Sequence, residues 1–318
     1  MKHKINIIYI VYTIFTITVL AAPDRAGAQI LSSLDTLRYD DSAYAADGLI
    51  GEWDSVLGEF ESIGIATEKE IQKEIADAES RRGPVTDIKK VVSREGIVMN
   101  IPKIPGENGE DLFMLTDDGI LIYLLLDSPA YYADGDEETV IKWIRYYCHE
   151  RRQRTKTLFS RFRKWEPWMR ERMRSGGVPE EIAELCMLES GCTASAKSPA
   201  GAVGMWQFMP GTGKLFGLTI APEIGYDDRL DPVKSTYAAV KLMKTNYKKT
   251  KDWTLAVAAY NCGAGRIESA ARRAGSYEWS RLCGFLPSET RNYIPGLVAL
   301  RYAWKYRREL ALDTESSD

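Results

Sequence analysis

From Val178 to Glu309 the apolar positions recur at helical rather than strand spacing. Ile182, Leu185, Cys186 and Glu189 stand at i, i+3, i+4 and i+7, so they share one helix face. Val233, Tyr237, Val240, Met243 and Tyr247 form a second stripe, and Trp253, Ala256, Val257 and Tyr260 a third. The stop and start signals agree. Pro179 sits at a first helical position, followed by Glu180 and Glu181 where the helix dipole favours anions. Asp231-Pro232 pairs an N-cap with a proline at the next position, and Asp252 caps a helix that Gly263 can close. Ser288 is expected to cap a last helix passing through Tyr293 and bending at Pro295. The pattern predicts a mainly α fold, with a helical domain over residues 178–310.

Other stretches read differently. Residues 138–177 are helical, basic and aromatic, with Trp143, Tyr146, Tyr147, Phe159, Phe162, Trp165 and Trp168, until Gly176-Gly177 stops the pattern. Residues 29–137 are less regular, with one expected helix near Thr67–Arg81, an extended piece over Gly96–Ile101 and a Pro/Gly-rich link from Ile101 to Gly109. No function follows from that region. Residues 311–318 read as a flexible acidic tail.

The N-terminus changes the compartment. Lys2, His3 and Lys4 precede an apolar run from Ile5 to Ala22 and then Ala26-Gly27-Ala28, the order of a secretory signal peptide. Cleavage is expected after Ala28, with Ala22 as the alternative site. A retained anchor is the competing reading, since the run is about long enough to span a bilayer. The first cysteine is Cys148, so a lipid-modified N-terminal cysteine is not expected.

Composition is that of a globular protein, 45% hydrophobic and 27% charged over 318 residues, enough for one or two domains. Charge is unevenly placed. Residues 29–137 carry 24 acidic and 9 basic side chains, whereas 138–318 carry 20 acidic and 30 basic. Lys142 to Arg174 alone holds 12 basic and 3 acidic residues, either a polyanion-binding surface or a solvated helix face. An export signal makes an anionic wall polymer a better partner than nucleic acid. Five cysteines leave at least one unpaired within the chain, and no CxxC or Cys/His cluster suggests a metal. Neither metal nor cofactor is expected. His149 is the one histidine after Ala28, too little for Ser-His-Asp or Cys-His catalysis.

Glu189 is the residue with chemical promise. It puts a carboxylate on an apolar stripe, where burial raises the pKa as a general acid near neutral pH requires, while Glu184 falls on the other side. A partly exposed helix end is the plainer reading of the same spacing. Gly191 breaks the helix at once, and a glycine-dense loop follows, Ser198 to Gly201 and Gly204 to Gly213. Such a loop admits a ligand close to its backbone. Trp206 and Phe208 are candidates to stack on sugar rings and Gln207 to bond hydroxyl or acetamido groups; a purely structural loop is the alternative. The third stripe puts the Tyr260 hydroxyl on the packed face, just before Asn261.

Glu189-Ser190-Gly191, Ser198-Pro199-Ala200-Gly201-Ala202, Gly204-Met205-Trp206-Gln207 and Ala259-Tyr260-Asn261 follow in the order of the soluble-lytic-transglycosylase domain, glycoside hydrolase family 23. Trp-Gln-Phe-Met-Pro-Gly-Thr-Gly, Asn261-Cys262-Gly263 and Glu289-Thr290-Arg291-Asn292-Tyr293 resemble its membrane-bound murein transglycosylase D subgroup. The resemblance spans roughly Thr139 to Ala303. It implies a lysozyme-like helical domain that cleaves peptidoglycan glycan strands between N-acetylmuramic acid and N-acetylglucosamine. Glu189 would be the single acid/base and a 1,6-anhydro end the product. By motif match Ser190, Met205, Gln207, Tyr260, Asn261 and Tyr293 line the site, and Glu289 is structural. One departure is Cys192, where many relatives have an aromatic; it and Cys262 each follow a site motif closely, so they either meet as a disulfide or stay as free buried thiols. The competing functions are a muramidase of the goose-type lysozyme kind, a non-catalytic wall-binding scaffold, and an enzyme opening the wall for a secretion or conjugation machine. In the last, residues 29–137 would dock on envelope proteins. Oligomeric state is not legible.

Overall fold

The structure, a computed structural model, describes residues 72, 73, 75–77, 80, 88–92, 98–106, 109–133 and 135–313. The expected signal segment and the last five residues lie outside these. Two compact units divide the chain: residues 1–64 with 86–103, and residues 65–85 with 104–318.

What is described of the first unit is one antiparallel pair of strands, β1 (Ile88–Val92) and β2 (Val98–Pro102), in register from Ile88 opposite Pro102 to Val92 opposite Val98. Its second strand contains Val98–Ile101 of the extended piece expected over Gly96–Ile101; residues 96 and 97 lie outside the described residues. Within the expected Thr67–Arg81 helix, the described residues are helical.

The second unit is helical. Its elements are α1 (Asp117–Asp127), α2 (Glu137–Arg145), α3 (Arg152–Arg163), α4 (Glu166–Ser175), α5 (Leu185–Ser190), α6 (Pro210–Leu215), α7 (Pro232–Thr250), α8 (Trp253–Cys262), α9 (Ala264–Ala274), α10 (Trp279–Leu282) and α11 (Ser288–Lys305). Two short strands, β3 (Ile220–Ala221) and β4 (Tyr226–Asp227), pair antiparallel between α6 and α7. No described helix is long and apolar enough to cross a membrane.

Helix α11 is the axis. From Tyr293 to Trp304 it buries side chains on nearly all sides, as a helix surrounded by others must. It packs on α2, α8 and α5. Phe159 and Phe162 of α3 meet Trp304 edge to face at 5.1 and 4.8 Å. Residues before α2 join the same body: the Tyr302 hydroxyl donates to the Met114 carbonyl at 2.5 Å, and the Asp111 amide to the Glu309 carbonyl at 2.6 Å. The basic helices of residues 138–177, set apart in the sequence from the 178–310 domain, therefore share one core with the helices that follow. The chain end is also held further than expected. Leu312 is fully buried and Asp313 pairs with Arg163, so a free tail does not begin at Ala311.

Much of the basic run is spent internally. Arg145 reaches Asp117 at 2.5 Å, Lys142 reaches Glu138 at 3.0 Å, and Arg170 reaches Glu166 at 2.6 Å and Glu184 at 2.5 Å. Arg145–Asp117 and Arg170–Glu184 join one element to another, whereas Lys142–Glu138 lies on the surface of α2 and Arg170–Glu166 within α4.

The caps of α7 and α8 form as the sequence dictates. Asp231 accepts from the amides of Val233 and Lys234, and Asp252 from that of Leu255. Gly263, at φ 85°, closes α8. Two expectations are corrected. Ser288 makes no cap; the flanking residue is Pro287, and Ser288 is already helical. The α7 stripe is also displaced: Val233 and Tyr237 are 43% and 46% exposed, while Thr236, Ala239, Val240, Met243 and Asn246 are buried. An apolar count passes over Thr236 and Asn246. Both enter the core because their polar atoms are satisfied there, Thr236 by the Trp206 indole and Asn246 by the Ala256 carbonyl.

Candidate active site

A single turn of 3₁₀ helix, Glu180–Glu184, leads into the six-residue α5, and Glu189 is its penultimate residue. The helix ends because Gly191 turns left-handed at φ 62°, a conformation glycine adopts without strain. Ile182, Leu185 and Cys186 are fully buried, so the expected stripe faces the core and carries Glu189 to its rim, half-buried. Glu184 is not on a solvent face. It is fully buried, accepting from Arg170 at 2.5 Å and Arg301 at 2.8 Å, with the Tyr131 hydroxyl 3.5 Å from its other oxygen. A buried carboxylate requires such partners. The effect is to tie the segment before Glu189 to α4 and α11.

The glycine-dense loop closes over the far end of α5. Ser190 donates its hydroxyl to the Met205 carbonyl at 2.7 Å and accepts from the Thr193 amide at 3.1 Å. Gly204, at φ 88°, passes so close to the Arg229 carbonyl that a Cβ would collide with it. Arg229 in turn donates to the carbonyls of Gly201 and Phe208 at 3.1 and 2.9 Å, held from behind by Asp227 at 2.7 Å. Gln207 is left-handed at φ 50°, and its amide bonds the Gly204 carbonyl at 2.8 Å, shaping the loop from within. Of the two readings of the loop aromatics, the structural one holds and the stacking surface does not form. Trp206 and Phe208 are 1% and 2% exposed, and the Trp206 indole donates to Thr236 at 2.8 Å. Both rings anchor the loop because burying them gains more than presenting them to water. Met205 likewise sends its side chain fully into the core.

Helices α8 and α11 supply the remaining wall. The Tyr260 hydroxyl donates to the Trp206 carbonyl at 2.7 Å, and the Tyr293 hydroxyl donates to Glu189 Oε1. Asn261 accepts from Thr290 at 2.7 Å and donates to Glu289 at 3.2 Å. Structure thus gathers Glu189, Ser190, the Met205 backbone, Tyr260 and Tyr293 in one place. Asn261 joins them through its contacts with α11, and Gln207 through the loop.

The electrostatics favour a neutral Glu189. Burial pushes its carboxyl from the usual 4.5 up to about 7; the Tyr293 hydrogen bond pulls the other way, and the charge of Glu289 adds to the rise. Tyr260 and Tyr293 are both driven well above the ordinary tyrosine value, first by burial and then by the charge of Glu189. Both therefore stay protonated as donors. A carboxyl poised near neutrality can give a proton and take one back, which is general acid/base chemistry. Glu289, the neighbouring carboxylate, is exposed and engaged with Asn261.

Of the two readings for Cys192 and Cys262, that of two unbridged, buried thiols holds and the disulfide between them does not. Cys192 lies against Cys186, Sγ to Sγ 2.7 Å, because the turn after α5 folds it back on its own helix. Sequence reasoning also missed the Arg170–Glu184–Arg301 cluster.

Comparison with known proteins adds a likeness over part of the chain. Residues 166–282 match the transglycosylase SLT domain. The chain is 35% identical over 157 residues to membrane-bound lytic murein transglycosylase D of Escherichia coli K12, covering 48% of this chain and 34% of that one. It is 29% identical over 140 residues to the soluble lytic murein transglycosylase of the same strain, covering 41% of this chain and 21% of that one. The chain thus spans about a third or less of these relatives' length. Among solved structures, the 70 kDa soluble lytic transglycosylase of Escherichia coli aligns over 83% of this chain and 47% of that one, at 17% identity and a TM-score of 0.38.

Proposed function

We propose that this chain, whose residues 166–282 form a transglycosylase SLT domain, is a peptidoglycan lytic transglycosylase with a lysozyme-like catalytic unit. Its acid/base is Glu189. The observation that carries the reading is one half-buried carboxyl raised to about 7, held by Tyr293 beside a rigid glycine-dense loop.

The steps balance without water. Glu189, protonated, gives its proton to the glycosidic oxygen between N-acetylmuramic acid and N-acetylglucosamine, and the C1–O bond breaks. Glu189, now a carboxylate, takes the proton of the muramoyl 6-hydroxyl as that oxygen bonds to C1. The product is a 1,6-anhydro end, and the enzyme returns to its starting state. Tyr293 steadies the carboxylate between the two transfers, since a hydrogen bond to the charged form favours it. Tyr260, Ser190 and Gln207 hold the loop whose backbone borders the reacting sugar. Two-carboxylate schemes need a nucleophile or a base for water, whereas here substrate itself supplies the attacking oxygen. No cofactor enters. The site works outside the cytoplasm after removal of residues 1–28, on glycan strands of the wall, and of the expected 29–137 segment residues 29–64 and 86–103, outside the helical unit, are those available for envelope partners.

Mass spectrometry of muropeptides released from purified peptidoglycan tests this. Products lighter by one water than reducing-end muropeptides are expected with the wild type and none with Glu189→Gln. Reducing-end products would make the protein a muramidase; binding without release would make it a scaffold.

A further inference from the structure

We infer that Cys186 and Cys192 form a disulfide in the mature protein, a covalent clamp across the turn that carries Glu189. The two sulfurs lie 2.7 Å apart, inside non-bonded contact and approaching the covalent separation of about 2.05 Å. Backbone already brings the residues together: the Cys192 amide donates to the Cys186 carbonyl at 3.0 Å. Both side chains are buried, and Cys192 stands left-handed at φ 55°, directly after left-handed Gly191. A non-glycine residue in that conformation is strained, and such strain persists where the surroundings over-determine it. A bond to Cys186 is a constraint of that kind. No sulfur–sulfur contact occurs at the other three cysteines among the described residues.

The chemistry requires an oxidant, and the proposed export of the chain supplies the setting. The two thiols lose two protons and two electrons to a second disulfide, of a small molecule or of an oxidoreductase, which leaves as two thiols. Formation precedes packing, because the folded pair is closed to solvent and burial drives the Cys186 thiol up, away from the reactive thiolate. Once formed, the bond is shielded by the same burial. The loop it closes contains Met187 to Gly191, so Glu189 becomes part of a small covalent ring.

The test is mapping of the wild-type chain, refolded with oxidised and reduced glutathione, denatured in alkylating agent and cut with a glutamate-specific protease. Cleavage after Glu189 separates Cys186 from Cys192. The expected result is a linked pair of peptides at these residues, with Cys148, Cys262 and Cys283 alkylated. The oxidised protein should melt several degrees above the reduced one, and the difference should vanish in a Cys186→Ser/Cys192→Ser double variant. Quantitative alkylation of both residues after oxidation, Cys192 linked elsewhere, or identical melting of oxidised and reduced wild type would overturn the inference. Mapping needs no lytic activity, so a failure of the proposed function would leave this result standing, and the reverse.

Discussion

Replacing Tyr293 with Phe deletes one hydroxyl and almost nothing else, since the ring is 8% exposed and its edge sits in the same packing. Among the described residues that hydroxyl is the one hydrogen-bond donor to Glu189. It bonds the carboxylate, so its loss destabilises the charged form and must raise the pKa of Glu189 further above about 7. A hydrogen bond to a charged group is worth about 1.5–3 kcal/mol net, and about 1.4 kcal/mol is one pKa unit, so the expected rise is about 1 to 2 units. Under the proposed mechanism, the enzyme must be protonated at Glu189 to begin. The basic limb of kcat/KM against pH therefore falls near 7 in the wild type and moves upward by that amount in Tyr293→Phe. The assay is the initial rate of muropeptide release from soluble glycan fragments between pH 5 and 9, with circular dichroism verifying the fold at each end. A limb that stays in place or moves to lower pH would refute the reasoning, because it would mean the hydroxyl does not stabilise the charged carboxylate.

Glu189→Gln should make the protein more stable at pH 8 while abolishing activity. In the wild type the folded state keeps a proton up to about 7 that the unfolded chain releases near 4.5, so stability falls as pH rises through that window. Allowing for the partial solvent contact of the carboxyl, the gain is about 2 kcal/mol at pH 8 and near zero at pH 4, read by urea unfolding at both. Glu184→Ala leaves Arg170 and Arg301 facing each other without their shared carboxylate, and should cost about 3–5 kcal/mol in the same measurement. A loss below 1 kcal/mol would mean the cluster holds nothing. Gly204→Ala demands both a left-handed alanine and displacement of the Arg229 carbonyl, and should lower the melting temperature by about 10 °C or prevent folding. An alanine variant melting like the wild type would show that the loop is free to yield.

The parts of this fold that were legible are those governed by local signals. Asp231, Asp252 and Gly263 punctuate helices by short-range hydrogen bonding and backbone freedom, and they do so here. The stripe ending in Glu189 was legible because its apolar members really face the core. What escaped was decided by long-range partners. Trp206 and Phe208 read as a sugar platform because nothing local tells a loop aromatic that it will be covered; their cover comes from Thr236, thirty residues on, and from the Tyr260 ring 6.3 Å from Phe208. Glu184 read as solvent-facing because its two arginines lie 14 residues before it and 117 after it. Cys192 was weighed against Cys262, across the site, when the reversal at Gly191 turns it onto its own helix.

Helix α11 lies outside the matched 166–282 segment, yet it delivers Tyr293 to Glu189 and Arg301 to Glu184, contacts that span 104 and 117 residues of chain. Contacts so distant in sequence close late, after the loop entropy between them has been overcome. A chain still emerging from the ribosome therefore holds the matched 166–282 segment while Glu189 remains unheld and untuned. The last described helix acts as an arming step: under the proposed function, Glu189 stays untuned until α11 has closed on α5.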